Sequence, residues 1–371
     1  MNLSYWEYKT WLSDIDFTVV GSGIVGLNCA LELKKNHPKA KIVILEKGIL
    51  PQGASTKNAG FACFGSISEI LADLQSHTEE EVFDLVKKRW QGIQLLRNNL
   101  GDTALDYQQH GGHELFIKGK NELYQECLEN VDRINHLLKS VFGVNAFERQ
   151  ANTFSFRGIE ELYISNLLEA QIDTGKMMDA LLKLVLAKGI KILNSIEVQE
   201  FQAINDFVEI KTNAFNFKTR KLCIATNGFA SQLLAENVVP ARAQVVITKP
   251  IPNLKLKGTF HLDEGYYYFR NIHDRVLFGG GRNLDLKGEE TFVHGETPLI
   301  QNQLEKMLAN IILPNTPFEI DHRWSGIMGV GNVKKPIVTQ IENNVYCGVR
   351  LGGMGVAIGS HIGVELANLA V

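Results

Sequence analysis

The segment VVGSGIVGL at residues 19–27 constrains this chain more than any other part of its sequence. It sets Gly21, Gly23 and Gly26 at G-x-G-x-x-G spacing, directly after the apolar, β-prone run 15–20 and ahead of Ile24, Leu27, Ala30 and Leu31 at helical spacing. His37-Pro38 stops that helix and KIVIL at 41–45 is a second short strand, so residues 15–46 read as strand, helix and parallel strand. Each glycine has a task in such a unit. Gly21 permits a tight turn, Gly23 lets backbone approach a pyrophosphate, and Gly26 lets the helix lie close on the strand. The helix start, Ile24 and Val25 included, offers free N–H groups and the positive end of its dipole to phosphate. Glu46, followed by Lys47, ends the second strand, where a carboxylate can accept hydrogen bonds from ribose hydroxyls and disfavours a 2′-phosphate.

Next comes PQGASTKNAGFACFGS at 51–66, a run too small-sided for a core element, which reads as backbone wrapped closely round a ligand. Here the chain resembles the D-amino-acid-oxidase-like (DAO) FAD-dependent oxidoreductases, which follow the ribose-binding acid with a loop of this type. Gly53-Ala54-Ser55 and Lys57-Asn58-Ala59-Gly60 match that loop. SYW at 4–6, ATNG at 225–228, LFGGGR at 277–282 and GGMG at 352–355 continue the likeness in the family's order, over nearly the whole chain.

The resemblance implies a mixed α/β (α+β) fold, with a Rossmann-like FAD-binding domain interleaved with an antiparallel-sheet substrate domain. The expected division gives residues 1–86, 149–228 and 322–371 to FAD and residues 87–148 and 229–321 to the substrate. By the same likeness, Val198 meets the adenine through strand-end backbone. Thr226, Asn227, Gly228 and Gly326 pass close to the cofactor. Gly352, Gly353, Met354, Gly355 and Val356 precede the last helix, whose free N–H groups would face the flavin pyrimidine edge and stabilise negative charge near N1 and O2 on reduction. The plainer reading of those glycines is a tight turn packed on the sheet. The sarcosine-oxidase branch attaches its flavin to a cysteine in the stretch after Trp324. SGIMGVGNV at 325–333 has none, so dissociable, non-covalent FAD is expected. Apolar neighbours make Cys63 and Cys347 small core residues.

On the substrate side the resemblance implies an arginine clamp in a G-L-R-P motif, but Gly326-Ile327-Met328-Gly329 puts Met328 in its place. The motifs lie nearest the γ-glutamylputrescine oxidase and glycine oxidase branches; the former shares the SYW start and a W-x-G segment, Trp324-Ser325-Gly326, and its oxidised end is an amine. Tyr266 and Tyr268 share one face of a strand and either line a pocket over the flavin or belong to the core, with Tyr267 and Phe269 facing away. Arg350 either replaces the missing clamp or pairs with an acid, and Arg242, Arg270, Arg282 and Arg323 are further candidates. The histidines, His261 among them, show no metal-ligand spacing.

The expected reaction is hydride transfer from the carbon of an amine or amino acid to flavin N5, with the imine hydrolysed and oxygen or another acceptor reoxidising the flavin. Two other readings stay open. The start of the chain also looks like that of L-2-hydroxyglutarate dehydrogenases, although GASTKNAG stands where they carry a His-Gln-Thr-Gly type loop; a non-catalytic flavin-binding protein is the other.

Composition narrows the partners. A formal charge of −3 and short basic clusters such as Lys87-Lys88-Arg89, read as solvated, give no footprint for nucleic acid. Five cysteines without a CxxC pair indicate neither zinc nor a disulfide framework. The acidic start and the lack of any stretch of ~20 apolar residues lead to the expectation of a cytoplasmic protein without a membrane span. Helical patterns run over 66–100, 121–142 and 175–188, the last closing at Gly189 before a strand at 190–193, and GGHELFIKG at 111–119 reads as a strand.

Overall fold

A computed structural model describes residues 2–371. The strand Ile15–Val20 is buried except at Asp16, as expected of a β-branched run covered on both faces. It lies between Ile42–Glu46 and Asn216–Ile224, parallel to both, with Val19 opposite Ile44 and Cys223. Val345–Val349 extends the parallel set on one side and Lys191–Asn194 on the other. The crossover helix Ile24–Asn36 ends at His37, and Thr174–Ala187 leads through Gly189 into the strand at 191, as the sequence predicts. Parallel strands wound this way leave a crevice at their carboxyl ends.

The final helix, Gly355–Leu369, packs on Ile24–Asn36 and on Glu79–Leu100. Glycines set the distance. A Cβ on Gly363 would lie 2.7 Å from the Val25 carbonyl oxygen, and one on Gly92 would lie 2.1 Å from that of Ala357.

The second large sheet has eight strands, antiparallel except where Thr259–Leu262 runs parallel to Gly112–Leu115. Phe260, Phe269 and Phe278 form its centre, the first two stacked with ring centroids 4.6 Å apart. Strands Phe147–Ala151, Leu162–Asn166 and Ile320–Val330 belong to this sheet, so the division expected at 149 and 322 cuts through paired strands. Ile320–Val330 is held there by pairing along its whole length with Val239–Thr248.

Two elements are shorter than their patterns suggest. The run 66–100 is two helices, Ile67–Leu74 and Glu79–Leu100, because Ser66 with Glu69 and Thr78 with Glu81 each form a capping box. Of 111–119, only Gly112–Leu115 is strand. Among the described residues no helix is long and apolar enough to cross a membrane.

Candidate active site

The glycine turn is shaped by close backbone approach. Gly21 adopts φ +102°, and a Cβ there would sit 2.9 Å from the Ala225 carbonyl oxygen on the neighbouring strand connection. One on Gly26 would sit 1.9 Å from the Gly21 oxygen, which only glycine avoids. At Gly23 the neighbour is the Ser55 hydroxyl, which accepts the Ile24 N–H at 2.9 Å. Glu46, 6% exposed, closes the turn: one carboxylate oxygen accepts from the Ser22 N–H at 3.1 Å and its hydroxyl at 2.7 Å, and the other accepts the Gly48 N–H at 2.9 Å. Sequence reasoning missed Ser22; the signal was a hydroxyl between two motif glycines.

From this turn a cavity of about 1450 Å³ runs to the start of the final helix. Its wall brings together Gly21, Gly23, Ile24, Val25, Glu46 and Lys47; then Gly53, Ala54, Ser55, Lys57, Asn58 and Ala59; then Val198, Thr226, Asn227, Gly228 and Gly326; and Gly352, Gly353, Met354, Gly355 and Val356. Gly26 and Gly60 do not face it. Gly26 serves helix packing, and the Gly60 carbonyl accepts from the Ile172 N–H at 2.8 Å and the Arg270 guanidinium at 3.3 Å. Cross-links hold the distant segments in place. Asn227 Oδ1 accepts the Leu351 N–H at 3.1 Å, and the Trp324 indole donates to the Lys57 carbonyl at 2.9 Å.

Several features fit a dinucleotide. The volume exceeds the ~300–1,000 Å³ of most small-molecule sites, leaving room for a substrate. Thr226 Oγ1 is buried in this wall and has no hydrogen-bond partner among the described residues. The final helix starts at Met354 with no side-chain cap, so its first N–H groups stay available. The profile of the DAO family, described as FAD dependent oxidoreductase, matches residues 16–369. The chain belongs to this family.

FAD is therefore the cofactor of this DAO oxidoreductase. The "probable oxidoreductase OrdL" of Haemophilus influenzae is 21% identical over 373 residues, covering 94% of this chain and 81% of that relative. Solved structures share the fold. Glycine oxidase from Geobacillus kaustophilus superposes with a TM-score of 0.76 at 17% identity, covering 96% of this chain and 94% of that one. L-Proline dehydrogenase from P. horikoshii gives 0.75 at 19%, with 96% and 92% covered. Iminodiacetate oxidase from Chelativorans sp. BNC1 gives 0.75 at 18%, with 95% and 94% covered.

Beyond the glycine turn, the DAO cavity is walled by the second sheet. Tyr266 and Tyr268 both line it, while Tyr267 and Phe269 point into the phenylalanine core. Burial pushes the Tyr268 hydroxyl up to about 12, so it stays protonated, and the Phe61 ring stands edge-on to it at 5.7 Å. Met328 lines the cavity.

The arginines divide sharply. Arg350, at φ +64°, reaches the cavity wall but spends Nε on the Lys335 carbonyl at 2.9 Å and a terminal nitrogen on that of Asn237 at 3.2 Å. No carboxylate pairs with it among the described residues. Arg242 is bidentate to Glu289, and Arg323 binds Gln301 and Glu305. Arg270 lies buried behind Gly60, where desolvation lowers it to about 10, and Arg282 lines the cavity. Arg89 corrects the solvated reading of its cluster. It is 5% exposed, donates to the Phe64 carbonyl at 2.8 Å and lines the cavity, because its helix packs inward between Val86 and Ile93.

Both suspected core cysteines are buried. Cys347 is pushed up to about 12, whereas Cys63, although burial holds its thiol well above the ordinary value, also faces the cavity 3.5 Å from the Met354 sulfur. His261 lines the same wall, and its Nε2 lies 3.5 Å from a Glu169 carboxylate oxygen. Sequence spacing hid this pair because the two residues lie far apart along the chain.

Proposed function

We propose that this DAO oxidoreductase oxidises a C–N bond of a small amine or amino acid, releasing an imine that water hydrolyses. FAD, when bound, supplies the hydride acceptor at N5, and oxygen or another acceptor then reoxidises it. The reading is carried by the half-buried aromatic wall at Tyr268 and Phe61, where low polarity favours a neutral amine over an ammonium ion. It is supported by the names of the structural relatives, which act on glycine, L-proline and iminodiacetate.

In this reading the glycine turn and Glu46 hold the adenosine diphosphate. The segments 53–59, 226–228 and 352–356 follow the flavin, held without a covalent bond, and Tyr266 and Tyr268 orient the substrate. The parallel-sheet part carries FAD and the second sheet the substrate. With Met328 in the wall and Arg350 tied to backbone, neither supplies a carboxylate clamp; an amine end is favoured, with Arg89 and Arg282 the other arginines on the wall.

His261 on the wall favours a second reading, oxidation of a hydroxy acid, since an alcohol needs a base within ~2.6–3.2 Å of its proton. Anaerobic flavin bleaching decides between them. Glycine, L-proline, iminodiacetate, N-methyl amines and putrescine are set against lactate and L-2-hydroxyglutarate. Bleaching by the amine set is expected; bleaching by hydroxy acids alone would reverse the assignment.

A further inference from the structure

His261 separates two spaces. On one side it lines the large cavity beside Phe61 and Tyr268; on the other it lines a void of about 10 Å³, room for about one water at most, whose wall includes Ser66, Glu114 and Glu169. It is 5% exposed and Glu169 is 1% exposed, so neither meets bulk solvent. Nε2 of His261 has no hydrogen-bond partner among the described residues, and the Glu169 oxygen stands 3.5 Å from it. Glu169 is itself fixed, because its other oxygen accepts the Phe64 N–H at 3.0 Å, and a Cβ on Gly112 would collide with it. An imidazole held against an immobile buried carboxylate, with its far face on a substrate-sized cavity, is placed to receive a proton and keep it.

We propose that His261, positioned and charge-balanced by Glu169, takes the proton from the substrate ammonium before hydride transfer. This rests on the amine reading above. A carboxylate beside Nε2 favours the tautomer with hydrogen there, leaving the Nδ1 lone pair as acceptor. The substrate N–H bond breaks, an imidazole N–H bond forms, and the pair left on the amine nitrogen drives the later loss of hydride. Glu169 then faces an imidazolium, and no charge is stranded in the wall.

The neighbours decide how the base is tuned. Facing His261 are Glu169, then Glu69 and Glu114, with His113 from the adjacent strand; Cys63 and Arg89 lie on the cavity side. Burial alone lowers an imidazole, but Glu169, aided by Glu69 on the cavity wall and by Glu114, outweighs burial and holds His261 above its ordinary 6.5. His113, buried against the Ser165 hydroxyl without a carboxylate, falls to about 4. A base near the working pH is the more effective proton acceptor.

The test uses the FAD-loaded protein and two readouts. Imidazole NMR titration of the wild type should place His261 above 6.5, and Glu169→Gln should bring it below, while Glu169→Asp restores it. In anaerobic flavin reduction by the fastest amine of the panel, the rate should rise with pH through the His261 titration. Its inflection should move acidward in Glu169→Gln, and His261→Gln should lose about 100-fold. An inflection unmoved in both variants, or a His261 titration indifferent to Glu169, overturns the proposal. So does a tightly held metal ion, because Cys63, Glu169 and His261 offer ligand atoms within 4.8 Å of one another and a metal would occupy the imidazole. If no amine bleaches the flavin, the amine reading fails, and the NMR titration still decides whether the pair exists.

Discussion

The two ends of the cavity are built by different means. At the glycine-turn end, proposed for the nucleotide, the wall is shaped by backbone from short, contiguous segments: glycines at 21, 23 and 26 and one carboxylate, Glu46, that ties down the turn. At the other end, proposed for the substrate, it is shaped by side chains gathered from far apart, with Phe61, Cys63, Arg89, His261, Tyr266, Tyr268 and Met328 meeting in one wall. A phosphate group needs N–H groups and room, which a local motif can supply. A small substrate needs a specific set of polar groups, which only the folded sheet assembles.

The largest expected effect tests the backbone end. In Gly26→Val the new Cβ would lie 1.9 Å from the Gly21 carbonyl oxygen, and both partners are main chain with nowhere to go. Separation of helix and strand there should cost on the order of 4 kcal/mol or more, giving insoluble or colourless protein. Tyr268→Phe at the other end should keep its full flavin content. Absorbance near the flavin band against protein concentration reads both, and a yellow Gly26→Val protein would break the contrast.

Next in size is an acid-stability effect confined to the second sheet. His113 is held at about 4 in the fold against an ordinary 6.5, so unfolding takes up a proton between those values. Its contribution is therefore unfavourable below 6.5, grows as pH falls to about 4, and reaches about 3 kcal/mol at most. His261 has the opposite sign: raised in the fold, it stabilises at low pH, and that gain is lost as pH rises through its titration. Replacing His113 by Gln should flatten the fall of melting temperature between pH 6.5 and 4.5, and an unchanged slope would show that His113 is charged in the fold.

The same contrast explains what the sequence could reveal. The strand, helix and strand of 15–46 were legible because each rests on local period and turn chemistry, and the run 53–60 was legible as something other than a core element because its side chains are mostly small or polar. The capping boxes at Ser66 and Thr78 were written in the sequence as S-x-x-E and T-x-x-E, and reading them would have split the helix at 66–100. Pairing of Ile320–Val330 with Val239–Thr248 was not legible, since register between segments so distant leaves no local mark. Arg89 was misread for a related reason: in a helix covered on several sides, a charge run does not tell which residue turns inward. The pair His261 and Glu169 required three-dimensional proximity outright.

A middle-sized effect sharpens the role of Glu46. Glu46→Gln keeps the shape but removes the charge that receives two N–H groups and a hydroxyl, and charge-assisted hydrogen bonds of this kind are worth ~1.5–3 kcal/mol. FAD should be retained roughly 10- to 100-fold less tightly. Equilibrium dialysis of the flavin measures it, and affinity equal to wild type would show that the turn holds its form without the carboxylate.

The smallest effect separates glycines that are needed from glycines that merely occur. Gly53 belongs to the same small-residue loop, yet its φ is −74° and a Cβ there would meet nothing within 4 Å among the described residues. Alanine should therefore fit, with the unfolded chain losing a little freedom and the fold gaining at most about 0.4–1 kcal/mol. Melting temperature should hold or rise slightly, with flavin affinity within about twofold, or ~0.4 kcal/mol. A loss of flavin in Gly53→Ala with stability intact would mean that the cofactor presses on the backbone at 53 as well. Close approach would then extend from the helix turn along the loop, and the boundary between the two ends of the cavity would move toward the second sheet.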